Sequence, residues 1–177
     1  MAAAIRIVNV LCIAAGLAAC VATDHEAENR ARLVWPPEPA EPRIEFVKAF
    51  SRPEDLGISK TLLQRLANLL FGETEVLMVR PMAIVESGGV VYVADPGAKG
   101  VHRFDAPRGK YELLSAEDGA PLVSPVGLAR GAAGEVYVTD SALAGVYVIR
   151  PGESYASRLK LSASLSQPTG IAVELAT

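Results

Sequence analysis

Cysteine and histidine are scarce in this sequence, with two of each among 177 residues. Two cysteines allow at most one disulfide, and neither residue type is frequent enough to build a metal centre without carboxylate ligands. The sequence also lacks a Gly-x-Ser-x-Gly elbow, a phosphate-binding glycine loop and a His-Glu-x-x-His motif. We therefore predict no catalytic residue, no cofactor and no bound metal.

Positive charge is not concentrated anywhere along the chain. The formal net charge is −3, aromatic residues make up 6%, and no block of Lys or Arg alternates with them. The counterion release that drives binding to nucleic acids would be weak for such a chain. We predict that nucleic acid is not a partner.

Glycine and proline are plentiful, with 15 and 12 residues, in a chain that is 50% apolar. They fall mainly between short apolar runs, a pattern typical of short strands joined by turns. The predicted fold class is therefore all-β.

Residues 1–19 have the features of an export signal. One early cation, Arg6, precedes an apolar stretch from Ile7 to Ala19. This stretch is shorter than the about 20 residues of a membrane span, but it fits the apolar region of a signal peptide.

The end of this segment, Leu17-Ala18-Ala19-Cys20, resembles the lipobox of bacterial lipoproteins. In that family the cysteine sulfur receives a diacylglycerol, so the resemblance implies lipidation of Cys20 and attachment to a membrane. Val21 is not the aspartate that retains some lipoproteins at the inner membrane, which implies an outer-membrane protein facing the periplasm. Cys12 follows Leu11 and fits the motif poorly. The alternative is an ordinary signal peptide or membrane anchor in which Cys20 is incidental.

Two segments precede the repeats. Residues 20–43 are predicted to be the lipidated cysteine and a proline-rich, extended spacer, because proline disfavours helix in the residue before it. Residues 44–79 are predicted to form a strand over 43–50 and an amphipathic helix over 59–71, whose leucines recur at helical spacing. Between them, Ser51 and Glu54 have the spacing of a capping box.

The rest of the chain, residues 80–177, is built of repeats. Units begin at Pro81, Pro125 and Pro168, which are 44 residues (81 to 125) and 43 residues (125 to 168) apart. This period is near that of a propeller blade of four short strands. The strands predicted for the first unit are Pro81–Val85, Val90–Ala94, Val101–Phe104 and Tyr111–Leu114, and the second unit repeats this order and ends with a strand over 155–161.

Within each of the first two units, Pro-x-Gly-Leu-Ala or its variant is followed by Val-Tyr-Val-x-Asp, a loop, a glycine and an apolar strand. This order resembles the NHL repeat, whose family builds six-bladed β-propellers. The resemblance implies a partial propeller of about two blades and the start of a third. The loops after Asp95 and Asp140 lack the Asn and Arg of many NHL repeats, so the family's ligand-facing chemistry does not transfer to them.

The repeated residues are predicted to be structural. Asp95 and Asp140 end equivalent strands, where a carboxylate can accept backbone N–H groups and hold a loop. The tyrosines are assigned to packing and the glycines to the blade frame, and His102 is predicted to be a partly exposed structural histidine. The blade positions are Tyr92, Asp95, Gly100, Tyr137, Asp140 and Gly145. Candidate binding residues are placed where the loops differ, at Pro96, Lys99, Ser141 and Leu143.

Three functional readings remain open. The first is a non-enzymatic, lipid-anchored envelope protein whose blades bind a protein or a glycan. The alternative is a portion of a metal-dependent propeller lyase or hydrolase, because some NHL-like propellers have such activities. The third is a truncated reading frame without a function of its own. Aligned on Pro81 and Pro168, Thr177 falls at Val90, so we expect the N-terminal part of a larger propeller, or an exposed blade edge that self-associates.

Substitution of Cys20 tests the lipid anchor. In bacteria fed an alkyne-tagged fatty acid, Cys20→Ser is expected to abolish labelling because serine offers no sulfur for the diacylglycerol. Cys12→Ser is the matched control and should be labelled like the unsubstituted protein. Labelling that persists in Cys20→Ser contradicts the lipoprotein hypothesis.

Overall fold

The computed structural model describes residues 33–61 except 38 and 42, residues 65 and 70, and residues 78–174. It confirms the all-β prediction, with antiparallel sheets of two, four and four strands that are consistent with a partial propeller. The predicted export signal, Cys20 and most of the predicted helix over 59–71 lie outside the described residues. No helix within the described part of the chain is long and apolar enough to cross a membrane.

The described residues form ten strands, which are β1 Val34–Trp35, β2 Ile44–Glu45, β3 Ala83–Ser87, β4 Val90–Asp95, β5 Gly100–Asp105, β6 Lys110–Leu114, β7 Pro125–Arg130, β8 Val136–Asp140, β9 Gly145–Ile149 and β10 Ser157–Arg158.

The described residues up to Lys48 belong to one compact unit, and those from Ala49 onward belong to a second. The described residues of the first unit contain the two-stranded sheet, in which β1 and β2 are antiparallel and Trp35 pairs with Ile44. The chain reverses direction between these strands, so its described residues from 36 to 43 do not continue as one extended segment. Strand pairing covers only two residues of the strand predicted over 43–50.

A single turn of 3-10 helix, Pro53–Leu56, follows at the start of the second unit. Its carboxylate cap is Asp55, whose Oδ2 accepts the backbone N–H groups of Ser51 at 2.8 Å and Arg52 at 3.0 Å. The predicted capping box used Ser51 and Glu54. The observed helix has its N-cap at Arg52, one residue later, so the carboxylate in register with it is that of Asp55.

Blade 1 is the sheet β3-β4-β5-β6, in which each strand pairs with the next along the chain. Blade 2 repeats this order as β7-β8-β9-β10, with an irregularity in register between Pro125 and Gly127. The four-strand prediction is confirmed for both blades. The last strand of blade 2 pairs over only two residues, Ser157 and Arg158, and is shorter than the predicted 155–161.

Each blade has two faces, because successive residues of a strand point to opposite sides of the sheet. In blade 1 the register pairs Val93 with His102 on one side and Tyr92 with Arg103 on the other. We call the side with His102 the front face of the blade and the side with Arg103 its back face.

The front face of blade 2 is the side on which Val138 pairs with Tyr147. The main hydrophobic core lies between the back face of blade 1 and this front face of blade 2. Burial of apolar surface stabilises the pair of sheets by roughly 25 cal/mol per Å². The buried members of this core are Val90, Tyr92, Val101, Leu114, Leu122, Val136, Val138, Tyr147, Ile149 and Ala156.

A smaller core covers the front face of blade 1. Ile58, which follows the 3-10 helix, is buried with Val93 and Phe104. Phe50 meets Phe104 edge to face, with ring centroids 5.5 Å apart, a favoured geometry for aromatic pairs. The residues before the repeats therefore cover the front face of blade 1, just as blade 1 covers the front face of blade 2.

The start of the third unit lies against the back face of blade 2. The Thr139 hydroxyl donates to the Thr169 carbonyl oxygen at 3.1 Å. A Cβ atom at Gly127 would lie 2.5 Å from the same carbonyl, so the absence of a side chain at Gly127 allows this close approach. No strand pairing is assigned to the third unit within its described residues.

The loops after Asp95 and Asp140 have the same backbone course in both blades. The residue before the closing glycine is in the left-handed region in each case, with φ of 55° at Lys99 and 49° at Ala144. For a residue with a Cβ atom this conformation costs roughly 1–2 kcal/mol, whereas glycine adopts it freely.

Glycine at position 144 should therefore stabilise the protein. We expect Ala144→Gly to raise the free energy of unfolding by up to about 1 kcal/mol, since relief of the left-handed strain exceeds the added entropy of the unfolded chain. Ala142→Gly, in the same loop but without a positive φ, is the matched control and should lower it by about 0.5–1 kcal/mol. Urea denaturation measures both, and a less stable Ala144→Gly variant would contradict the assignment.

Candidate functional site

The carboxylate of Asp95 binds backbone groups on both sides of its strand. It accepts the N–H groups of Val79 at 2.6 Å and Arg80 at 2.9 Å, from the segment before β3, and of Ala98 at 3.0 Å in the following loop. Asp95 is fully buried. It ties the start of blade 1 to the loop between its second and third strands.

Asp140 makes the equivalent set of bonds in blade 2. It accepts the backbone N–H of Ser124 at 3.0 Å and those of Ala142 at 3.1 Å and Leu143 at 2.9 Å. Ser124 precedes Asp140 by 16 residues, the same separation as between Val79 and Asp95. The two carboxylates therefore serve the same bracing geometry in each blade.

Burial opposes the ionisation of Asp95, but backbone donation outweighs it. The N–H groups of Ala98, Arg80 and Val79, together with a bond from His102, hold the pKa of the Asp95 carboxyl below its ordinary value. The carboxylate is therefore charged at neutral pH and acts as an acceptor.

His102 connects Asp95 to the outer strand of blade 1. Its Nε2 lies 3.3 Å from Asp95 Oδ2, and its Nδ1 lies 2.8 Å from the Tyr111 hydroxyl oxygen. His102 is 1% exposed, so the prediction of a partly exposed histidine is wrong. The reason is that Phe50, Ile58 and their neighbours cover the front face of blade 1, which the strand pattern around His102 does not reveal.

Desolvation by the surrounding side chains lowers the pKa of His102 below its ordinary value of 6.5, although the bond to Asp95 opposes this shift. Burial, with a smaller contribution from the charge of Asp95, raises the pKa of Tyr111 to about 12. Both rings are therefore neutral at pH 7. Because a carboxylate can only accept, the single imidazole proton belongs on Nε2, and Nδ1 accepts the hydroxyl proton of Tyr111.

The outer strand of each blade lies close to the glycine that ends the loop, Gly100 in blade 1 and Gly145 in blade 2. A Cβ atom at Gly100 would lie 2.7 Å from the Leu114 carbonyl oxygen. At Gly145 a Cβ atom would lie 3.0 Å from the guanidinium carbon of Arg158. The guanidinium group of Arg158 donates to the Leu143 carbonyl oxygen at 3.1 Å and lies over the Tyr147 ring.

The two equivalent tyrosines have different surroundings. Tyr92 is buried in the main core. Tyr137 is half-buried on the back face of blade 2 and donates its hydroxyl to Glu135 Oε1 at 3.0 Å. This bond is the leading cause of a raised pKa for Tyr137.

The four candidate binding residues are not equally accessible. Pro96 is buried, and Leu143 packs against the main core. Ser141 is half-buried, and Lys99 is exposed. The two packed blades form a stack, and all four residues lie at the end of it that the loops after Asp95 and Asp140 form.

A cleft of about 640 Å³ opens between the blades at the opposite end of the stack. Its walls include the strand-connecting turns at Gly88, Gly134 and Gly152, and Tyr92 and Arg103 from the back face of blade 1. Both blades contribute to it. A volume of this size is within the usual range for small-molecule sites.

Arg103 forms the floor of the cleft and joins the blades. Its guanidinium donates to the Glu112 carboxylate, to the Glu153 carbonyl and, at 3.2 Å, to the Ser154 hydroxyl. Burial opposes ionisation of Glu112, but bonds from Lys110, Arg103 and Ser154 keep its pKa below the ordinary value. The bonds of Arg103 connect blade 1 to the Glu153–Ser154 turn of blade 2 beside the cleft.

Three further cations line the cleft: Arg108 and Lys110 from blade 1 and Arg130 from blade 2. Their side chains are 75%, 54% and 51% exposed. This group was not predicted from the sequence, because Arg130 lies far along the chain from the other two cations. The available signal was the presence of Arg103, Arg108 and Lys110 within one predicted hairpin.

Comparison with known proteins gives no match: no family model matches the chain, and neither does any curated protein. Among the described residues there is no group of three or more His, Cys, Asp or Glu side chains that could hold a metal ion.

Because His102 is buried, we expect the stability of the protein to depend on pH. Because the pKa of His102 is lower in the folded state than its ordinary value of 6.5, the unfolded chain binds the proton more readily. The free energy of unfolding should therefore fall as the pH drops through 6.5, where the imidazole of the unfolded chain titrates, and this loss should continue down to the lower pKa of the folded state.

The comparison is best made in a His25→Gln background, which leaves His102 as the sole histidine. Urea denaturation at pH 7 and pH 5 should show a fall in the free energy of unfolding when His102 is present. The fall should be smaller for His102→Gln, because its amide can donate to Asp95 and accept from Tyr111 without titrating. An NMR titration in which His102 protonates at or above pH 6.5 would contradict the assignment.

Proposed function

We propose that this chain is a lipid-anchored, non-enzymatic binding scaffold of the bacterial cell envelope, whose propeller blades bind a protein or a glycan. The observation that carries the proposal is the cleft between blades 1 and 2. It is concave, it is lined by both blades, and three of its charged side chains are accessible to a ligand.

The state of the other polar groups favours binding over catalysis. The carboxylates of Asp95 and Asp140 are engaged by backbone N–H groups, and both residues are fully buried. The chain of Tyr111, His102 and Asp95 lies under the apolar side chains that cover blade 1. A general base must come within hydrogen-bond reach of a substrate proton, and these groups lie beneath the surface.

The proposed family is that of NHL-repeat lipoproteins. Two successive four-stranded blades, with an aspartate ending the second strand and a glycine opening the third in each, support the repeat resemblance. The proposed outer-membrane location depends on the Leu17–Cys20 segment, which lies outside the described residues. The lipid on Cys20 would attach the blades to the periplasmic side of that membrane.

Site-specific photo-crosslinking tests the binding surface. Ala132 lies in the cleft and Ala142 lies in a loop at the opposite end of blade 2, and both are exposed. With a benzophenone amino acid at either position in the full-length protein in cells, we expect an adduct with an envelope protein or glycan from position 132.

Position 142 serves as the matched control, because it is also an exposed alanine in a loop of blade 2. It should give little or no adduct under the same illumination. Adducts confined to position 142, or none from either position, contradict the proposal that the cleft is the binding surface.

A further inference from the structure

We propose that the cleft between the blades is a site for a small ligand bearing an oxyanion, either a carboxylate or a phosphate. This inference rests on the proposed binding function and adds to it the chemical class of the ligand. It is carried by the charge of the cleft walls, by their accessibility and by the apolar surface beside them.

The charge of the cleft is opposite to that of the chain. The lining residues include four cations, Arg103, Arg108, Lys110 and Arg130, and one carboxylate, Asp105. The chain as a whole carries a formal charge of −3. Even when the two other carboxylates paired with these cations, Glu112 and Glu86, are counted, four cations face three anions.

Each exposed cation of the cleft has a carboxylate neighbour, and Arg130 can be redirected to a ligand at little cost. Arg108 pairs with Asp105 at 2.9 Å, Lys110 with Glu112 at 3.0 Å, and Arg130 stands 4.0 Å from Glu86. The pair between Arg130 and Glu86 is weak, because both side chains are more than half exposed and water screens their charges. A ligand oxyanion held by an arginine in a partly enclosed cleft makes a stronger, charge-assisted bond.

The positions of these cations define a bridging geometry. Arg108 and Lys110 belong to blade 1, and Arg130 ends β7 in blade 2. An oxyanion between them would be held from both walls of the cleft. Arg103 is excluded from this role, because its guanidinium is already bonded to Glu112, Glu153 and Ser154.

The remaining wall suits a compact carbon skeleton. Val90, Tyr92 and Pro151 line the cleft together with the glycine turns. The volume of about 640 Å³ accommodates a ligand of one or two sugar rings. The site therefore fits an acidic sugar or a phosphorylated small molecule, with the oxyanion at the arginines and the skeleton against the apolar wall.

Three probes test the inference on the full-length protein in detergent micelles: sodium glucuronate, methyl glucoside and inorganic phosphate. Binding is followed by NMR chemical shifts of the cleft glycines. We expect glucuronate to bind, methyl glucoside to bind more weakly by roughly tenfold or more, and affinity to fall with added salt. Binding of phosphate without glucuronate also supports an oxyanion site and identifies phosphate as the source.

Variants locate the site. Arg130→Gln and Arg108→Gln should each weaken anion binding by roughly tenfold, the loss expected for one charge-assisted hydrogen bond. Lys160→Gln removes the same charge from an exposed position outside the cleft lining and should leave binding unchanged.

Three results would overturn the inference: equal binding of glucuronate and methyl glucoside, equal effects of Lys160→Gln and Arg130→Gln, or no binding of either anion at millimolar concentration. Adducts from position 132 combined with any of these results would uphold the proposed function while rejecting an oxyanion ligand. Anion binding that Arg130→Gln weakens, without adducts at position 132, would instead reject the envelope partner and retain the site.

Discussion

The packing of one sheet face against another is the constraint on which the rest of this structure depends. Both faces of blade 1 are apolar, so the sheet is stable only when each face is covered. Residues such as Phe50 and Ile58 cover the front, and blade 2 covers the back. This stacking buries the strand ends, and a buried strand end leaves its loop with backbone N–H groups that must find acceptors.

The carboxylates of Asp95 and Asp140 satisfy that requirement. Each accepts N–H groups from its own loop and from a segment 15 or 16 residues earlier, so a single side chain ties the start of the blade to the loop between its second and third strands. Blade 1 extends this bracing through His102 to Tyr111. At the opposite end Arg103 fastens blade 1 to the last hairpin of blade 2. The cleft lies at that second end, so its width depends on the same packing that buries the carboxylates.

Much of the fold was predictable because the repeated sequence marks where each strand begins and ends. The Val-Tyr-Val-x-Asp segment and the glycine that follows it mark the end of one strand and the start of the next in both blades. The lead-in was less predictable. A shift of one residue moved the cap from Glu54 to Asp55, and the proline-rich residues between Trp35 and Ile44 turn back because strand pairing there competes with the extended preference of proline.

The sequence by itself determined the strand order, the period and the positions of the repeated aspartates and glycines, because these follow from local pattern and turn chemistry. Only the tertiary structure decided that His102 is buried and that the cleft is cationic. Burial of a strand residue depends on which distant segment covers its face, and the sequence around His102 does not specify that segment. Likewise, Arg130 shares a cleft with Arg108 and Lys110 only because the two sheets stack, which brings together charges that are well separated along the chain.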